Sequence, residues 1–144
     1  MISYEKSKTI LKKAKIKIKD ETLKSVNSLN RVVSTNIYSN INYPAGNNAA
    51  FDGYAINSKD TNGLKKKLPK KFKIIGSIAA GMKPFKKKIK KFDTAEIMTG
   101  GIIPKGFDTI IPIEQIIFAP NKKYILIDQK IKKFDHVRFA GSDY

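Results

Sequence analysis

The chain has no cysteine, no tryptophan and a single histidine among its 144 residues. Without cysteine, a disulfide framework, a thiolate metal site, an iron–sulfur cluster and a cysteine nucleophile are all excluded. The lone histidine, His136, is the one residue a Ser/His/Asp triad could use, and no Gly-x-Ser-x-Gly elbow accompanies it. Next to Asp135 it reads as a surface or packing residue. Arginine is nearly absent too: 27 of the 29 basic residues are lysine, leaving Arg31 and Arg138. No apolar run approaches the ~18 residues of a membrane span. Met1 to Ile10 holds no hydrophobic stretch ahead of a small-residue cleavage site, so a cytoplasmic chain without a membrane span is expected. A phosphate loop of the Gly-x-x-x-x-Gly-Lys-Ser/Thr kind is missing, and Gly76 to Gly81 does not make a dinucleotide fingerprint.

What is present suits one domain-sized core, with 41% apolar and 28% charged residues. A chain of this size buries roughly two-thirds of its unfolded surface. The charge is lopsided, 29 basic against 12 acidic residues for a formal +17. Lysine is a hydrated point charge, whereas specific reading of bases favours the planar guanidinium, so no specific nucleic-acid partner is expected. Two readings of the charge stand side by side. One is compositional drift, because Lys, Ile and Asn together make up 59 of the 144 residues. The other is a surface that faces polyanions.

Ser3 to Ala14 has Ile10, Leu11 and Ala14 at helical spacing behind a capping serine, which predicts a short amphipathic helix. Ile16 and Ile18 alternate with lysines and predict a strand. A second short helix is expected around Val26 to Val33, then an extended stretch with Val33, Ile37 and Ile41 on one face, ended by Pro44. Tyr43 to Gly53 has loop composition, and Tyr54 to Ile56 looks extended. Two lysine runs, Lys65 to Lys73 and Lys83 to Lys91, read as wet connections framing a buried strand from Ile74 to Gly81. Glu96 to Thr99, Thr109 to Ile117 and Tyr124 to Ile127 follow as strands, with a turn at Asn121. The fold class is therefore mainly β (α+β), an irregular coiled or barrel-like sheet with a short N-terminal helical lead-in. Three divisions are expected: 1–43 as a helical and extended lead-in, 44–137 as the β domain, and 138–144 as the start of a return segment. The chain then stops on Gly141 to Tyr144 without a closing helix or strand, as a fragment cut just after a turn would.

Three polar, turn-like clusters stand outside the core pattern: Asn47 to Tyr54, Thr99 to Gly106 and Arg138 to Asp143. Glycines such as Gly53, Gly100, Gly101 and Gly141 let backbone approach a ligand or present N–H groups to an anion. Asp52, Thr99 and Asp143 add hard oxygens suited to a Mg²⁺-like cation. Asp-Gly and Gly-Gly are also ordinary turn dipeptides, so the residues alone leave both readings open.

The order of these clusters resembles the molybdopterin molybdenumtransferases, the family of MoeA and of gephyrin's C-terminal domain. Tyr43-Pro44-Ala45-Gly46-Asn47-Asn48-Ala49-Ala50-Phe51-Asp52-Gly53-Tyr54-Ala55 is similar to that family's Pro-x-Phe-Asp-Asn-Ser-Ala-Met-Asp-Gly-Tyr-Ala run. Gly76 to Gly81 resembles its Gly-x-x-x-Ala-Gly strand. Ile97-Met98-Thr99-Gly100-Gly101-Ile102-Ile103-Pro104-Lys105-Gly106 resembles Ile-Met-Thr-Gly-Ala-x-x-Pro-x-Gly. Glu114 matches a strand-closing glutamate, Val137 to Asp143 resembles Val-Arg-x-x-Gly-Glu-Asp, and Leu29 to Val33 resembles Leu-Gly-Arg-Val-Leu.

The resemblance implies insertion of molybdate into adenylated molybdopterin with release of AMP, in the presence of Mg²⁺, by a homodimer. It implies catalytic roles for Asp52, Thr99 and Asp143, metal ligation by Asp52 and Asp143, and oxyanion or substrate binding by Arg138, Gly100 and Gly101. Family members continue into an α/β domain that grips the pterin nucleotide, so a partner chain or a continuation would supply it, and 144 residues alone are expected to be inactive. The chain departs from the pattern at Gly46, Asn47, Ala49, Phe51 and Ser142. Those departures keep two rivals in view: a non-catalytic dimerisation or scaffold module, and a lysine-rich polyanion-binding domain. For the latter, Phe72, Phe85 and Phe92 lie among lysines, though at spacings equally suited to β core positions.

Overall fold

The computed structural model describes residues 1–15, 17–66 and 68–143. Two compact units result, Met1–Tyr38 and Ser39–Tyr144. In the first, helix α1 (Tyr4–Lys13) forms where the spacing predicts it. Ser3 caps it by accepting from the Lys6 N–H, and Lys12 and Lys13 fall in the last turn, where cations suit the helix dipole. None of its residues is buried. The second helix expected around Val26 to Val33 is instead a single 3₁₀ turn, Ser25–Asn27. The lysine-alternating strand is not formed over 17–20, and Ile16 lies outside the described residues. Val33, Ile37 and Ile41 remain exposed. Helix α1 has a side-chain cap and the 3₁₀ turn has none, and among its described residues this unit buries no face that would hold an element lacking such local support.

The second unit carries the core. Eight strands are described: β1 (Asn48–Ala49), β2 (Gly53–Ile56), β3 (Lys70–Ile78), β4 (Asp93–Ile97), β5 (Thr109–Pro112), β6 (Ile117–Phe118), β7 (Tyr124–Ile127) and β8 (Val137–Arg138). Six of them form one sheet in the order β5-β2-β4-β3-β7-β6, and β1 pairs with β8. The expected class holds: the protein is mostly β, with a curled half-barrel sheet and, among the described residues, one short α-helix. All pairs in the large sheet are antiparallel except β3 with β4.

Successive residues of a strand face opposite sides, and β2 uses both. Ala55 joins Ala49, Ile78, Ala95, Ile97, Phe107 and Ile110 in one cluster. Tyr54 and Ile56 join Phe72, Ile111, Ile125 and Ile127 in another. That two-sided burial explains why Gly-Tyr-Ala-Ile reads as a continuous apolar run rather than an alternation.

The first lysine run is only partly a wet connection. Strand β3 starts at Lys70, with Lys71 and Lys73 turned to solvent and Phe72 fully buried between them. Phe72 meets Phe92 edge to face at 5.3 Å. Phe85 and Phe92 pack half-buried against the two clusters, so these aromatics contribute to the core. Thr109 to Ile117 is likewise not one strand: β5 ends at Pro112, a 3₁₀ turn follows over Ile113–Gln115, and β6 begins at Ile117.

Buried hydroxyls and loop carboxylates tie the connections to the sheet. Thr94 donates to Ala55 O, and Thr109 donates to Lys132 O and Asp135 O. Asp108 accepts from the N–H and hydroxyl of Ser58, Asp60 from Phe92 N, and Asp93 from Lys90 N.

Gly53 leaves no room for a side chain. A Cβ placed there would lie 2.0 Å from Ile111 O, a backbone atom in the paired strand. Gly53→Ala should therefore destabilise the protein by about 3 kcal/mol, the upper end of overpacking costs. Gly63→Ala, at φ +79° with nothing within 4 Å, should lose only about 1 kcal/mol of backbone strain. Urea denaturation of both variants measures the difference, and equal losses would refute the close-approach account.

Candidate active site

The register of β2 brings the first two clusters together. Gly53 pairs with Ile97 of β4 and with Pro112 of β5. Asp52, one residue earlier, therefore stands beyond the end of β4, where the chain turns through Thr99. Its backbone oxygen accepts from Ile113 N at 2.9 Å, extending the β5 side of the ladder. Its carboxylate Oδ1 accepts two bonds from Thr99, from the backbone N–H at 2.6 Å and from the hydroxyl at 2.7 Å. Among the described residues no hydrogen bond reaches Oδ2. The two Thr99 bonds, the backbone one foremost, hold the Asp52 carboxyl below the usual aspartate range, against a small opposing effect of burial. Both residues are exposed, so an ionised oxygen donor is held in place at the surface.

Gly100 and Gly101 form the turn that carries Thr99. Gly100 has φ +78°, and a Cβ on Gly101 would come within 2.9 Å of Ile97 and of Met98 O. Their N–H groups donate to Ala49 O and Met98 O, and Gly101 O accepts from Ala49 N. The amides that the composition offers to an anion are thus already bonded inside the protein.

Strand β1 ties this turn to the third cluster. Asn48 pairs with Arg138 of β8 and also bridges to Ile102. Beyond β8, Ala140 N donates to Asn47 Oδ1, Gly141 N to Pro44 O and Asp143 N to Tyr43 O, each at 3.0 Å. Arg138 and Asp143 form a close hydrogen-bonded ion pair. The bond from Arg138 lowers the Asp143 pKa and the same contact raises that of Arg138, with Ser142 adding a weaker bond to Asp143.

The named residues therefore form two pairs, Asp52 with Thr99 and Arg138 with Asp143, on turns that both anchor to β1. Among the described residues no hydrogen bond or ion pair joins Asp52 to Asp143. Among the described residues no group of three His, Cys, Asp or Glu side chains gathers into a metal cage. His136 packs its ring edge to face on Phe51 at 5.1 Å, and its backbone oxygen accepts from Ala50 N.

Two asparagines of the first cluster received no role from the sequence. Asn47 holds the β8 return through Ala140, keeping an acceptor where the resembling run has aspartate. Asn48, 7% exposed, has a buried Oδ1 without a hydrogen-bond partner among the described residues. Buried acceptors are rarely left so, and this one lies on the strand both turns share. The signals for them were a pair of asparagines inside a glycine- and alanine-rich turn and their place in the resembling run, where Asn47 stands at an aspartate position.

The fold and site define a mostly β domain whose glycine-bearing turns hold an exposed carboxylate on a threonine. A family model described as the MoeA N-terminal region, domains I and II, matches residues 2–144. The chain belongs to this family. A molybdopterin molybdenumtransferase of Staphylococcus epidermidis is 27% identical over 142 residues, covering 99% of this chain and 33% of that protein. One from Haemophilus influenzae is 31% identical over 134 residues, 85% of this chain and 32% of that one. A crystal structure of the molybdopterin biosynthesis MoeA protein from Pyrococcus horikoshii superposes with TM-score 0.77 at 31% identity, covering 99% of this chain and 36% of that chain. The chain thus spans about a third of the length of these relatives.

Replacing Thr99 with Val removes the hydroxyl bond and leaves the backbone one. The Asp52 pKa should rise toward the ordinary aspartate value without fully reaching it, as read by carboxyl-carbon NMR titration. The sign follows from the lowered pKa: the contact stabilises the fold above the usual aspartate pKa, and the contribution fades as pH falls through the depressed value. An unchanged Asp52 titration in the variant would show that the hydroxyl does not hold the carboxylate.

Proposed function

We propose that this chain is the N-terminal portion of a molybdopterin molybdenumtransferase and lends Asp52, Thr99 and Asp143 to a site that inserts molybdate into adenylated molybdopterin. The observation that carries the reading is the Thr99-bound Asp52 carboxylate, ionised, exposed and with one oxygen still available. Arg138 is the cationic group of the second pair, and its remaining guanidinium donors suit phosphate or molybdate oxygens. Gly100 and Gly101 contribute by turning the chain tightly under Thr99, since their own amides are spent.

Mg²⁺ is bound through one or two carboxylates together with substrate phosphates rather than by an all-protein cage. Asp52 fits that description as a single ligand, while Asp143 enters such a shell only by giving up Arg138. Bound there, the cation would neutralise charge on phosphate and molybdate oxygens. The chain's own contribution is to hold the Asp52 carboxylate in one orientation and ionised. A homodimer or a further α/β portion of the enzyme, in the cytoplasm, completes the site in this reading.

A chimera in which this chain replaces the matching third of the Staphylococcus epidermidis relative tests it, with molybdate-dependent AMP release as the readout. The chimera should be active, Asp52→Asn should lower its rate by about 100-fold, and the 144 residues alone should be inactive. Undiminished turnover in the Asp52→Asn chimera sinks the assignment. A well-folded but inert chimera would favour a scaffold that keeps the fold without the chemistry, the reading that the departures at Gly46 and Ala49 suggest.

A further inference from the structure

A cavity of about 510 Å³ opens between the 3₁₀ turn Ser58–Thr61 and the segment Lys130–Lys133. Ser58, Lys59, Asn62, Lys130, Ile131, Lys132 and Lys133 line it, four lysines and no acid. Ligand pockets of small molecules run to roughly 300–1,000 Å³, so the space suits a compact ligand. An adjoining hollow of about 240 Å³ shares Lys130, Ile131 and Lys132, and there Asp135 and His136 contribute to the wall.

The walls of the larger cavity are pinned by buried polar groups. Ile131 N donates to Thr61 Oγ1 at 3.0 Å, and Thr61, fully buried, donates to Ser58 O at 2.7 Å. Ser58 is fastened through its N–H and hydroxyl to Asp108 at 2.7 and 3.0 Å. Thr109 donates to Lys132 O at 2.9 Å, and Phe134 N donates to Asp108 O at 3.1 Å. Ile131 packs against the second core cluster. These bonds fix Ser58, Thr61, Ile131 and the Lys132 carbonyl in the walls, and so the backbone from which the neighbouring lysines project.

The ammonium groups themselves have no such partners. Among the described residues the ion pairs are Arg31 with Glu21 and Arg138 with Asp143, so none of the four lysines meets a carboxylate. Lys133 lies over the Phe134 ring at 4.5 Å, which leaves its charge uncompensated. Four like charges around one cavity repel, and a ligand carrying several negative charges removes that repulsion while the aliphatic stems and Ile131 cover its less polar part.

We propose that this cavity binds a compact polyphosphate group, held by Lys59, Lys130, Lys132 and Lys133. Such a group occurs free or as the tail of a nucleoside triphosphate, and both present the same chain of phosphates. A surface of net +17 attracts any anion weakly, so the test must separate a site from the overall field.

Inorganic triphosphate and ATP are titrated by calorimetry into the chain at 150 mM salt. Each should saturate at one equivalent, with backbone NMR shifts concentrated at Ser58, Asn62 and Ile131. Tighter binding of ATP marks the nucleotide as the source, and equal binding marks the phosphates alone. The triple variant Lys130→Gln, Lys132→Gln, Lys133→Gln should bind at least 10-fold more weakly. A charge-matched control, Lys83→Gln, Lys86→Gln, Lys88→Gln, removes the same three charges from the other lysine run and should stay within 2-fold of the parent. All six are exposed, so both variants should keep the parent's circular dichroism. Equal losses in the two variants, binding beyond one equivalent without saturation, or no heat and no shifts at all would overturn the proposal.

Discussion

The approach of β2 to β5 at Gly53 is the constraint on which the remainder of the β unit depends. With no side chain at that position, Ile111 O comes where a Cβ would stand, and β2 locks between β4 and β5 in a single register. That register aligns the apolar residues of β2 with a core on each face. It also decides what lies beyond the strand ends. Asp52 precedes Gly53, and Thr99 follows Ile97, the residue Gly53 faces, so the meeting of carboxylate and hydroxyl is a consequence of sheet pairing. A slip of one residue would turn Tyr54 and Ile56 to the wrong face and part Asp52 from Thr99 together.

The same economy governs the acids. They are few, and in the β unit several are structural: Asp60, Asp93 and Asp108 each receive backbone N–H groups from loops that would otherwise leave them unpaired. Asp143 is neutralised by Arg138. Asp52 differs because its partner is a neutral threonine, which orients it without cancelling its charge. Lysine is used differently: among the described residues no lysine meets a carboxylate, and Lys70 and Lys91 set their ammoniums over the Phe92 ring at 4.8 and 5.1 Å. A large positive charge therefore coexists with a conventional β core.

Much of the site was legible because its chemistry is local. Asp-Gly ahead of an apolar run and Thr-Gly-Gly after one mark strand ends with oxygen donors, and the resemblance of both to one family's motifs supplied their order. The α1 cap at Ser3 was readable for the same reason. What failed were inferences in which pattern stood for burial. Val26 to Val33 has helical spacing but no surface in its own unit to bury against, and only a 3₁₀ turn forms. Lys65 to Lys73 looked solvated because lysines outnumber everything else, yet Lys-Phe-Lys places one ring into the core while its neighbours point out. The two-residue strand β1 carried no periodic signal, being held by partners far along the chain.

The amino-acid order alone determined the absence of cysteine chemistry, the positive charge, the β character of residues 53–127 and the identity of the oxygen donors, since each follows from side-chain type or from spacing over a few residues. Tertiary structure decided which donors meet. Thr99 reaches Asp52 across 47 positions of sequence, while Asp143 is claimed by Arg138 five positions before it, and no local pattern distinguishes those outcomes. The difference lies in strand register and in which strand each turn leans on, long-range pairings whose energy comes from the buried faces of the sheet rather than from the residues at the site.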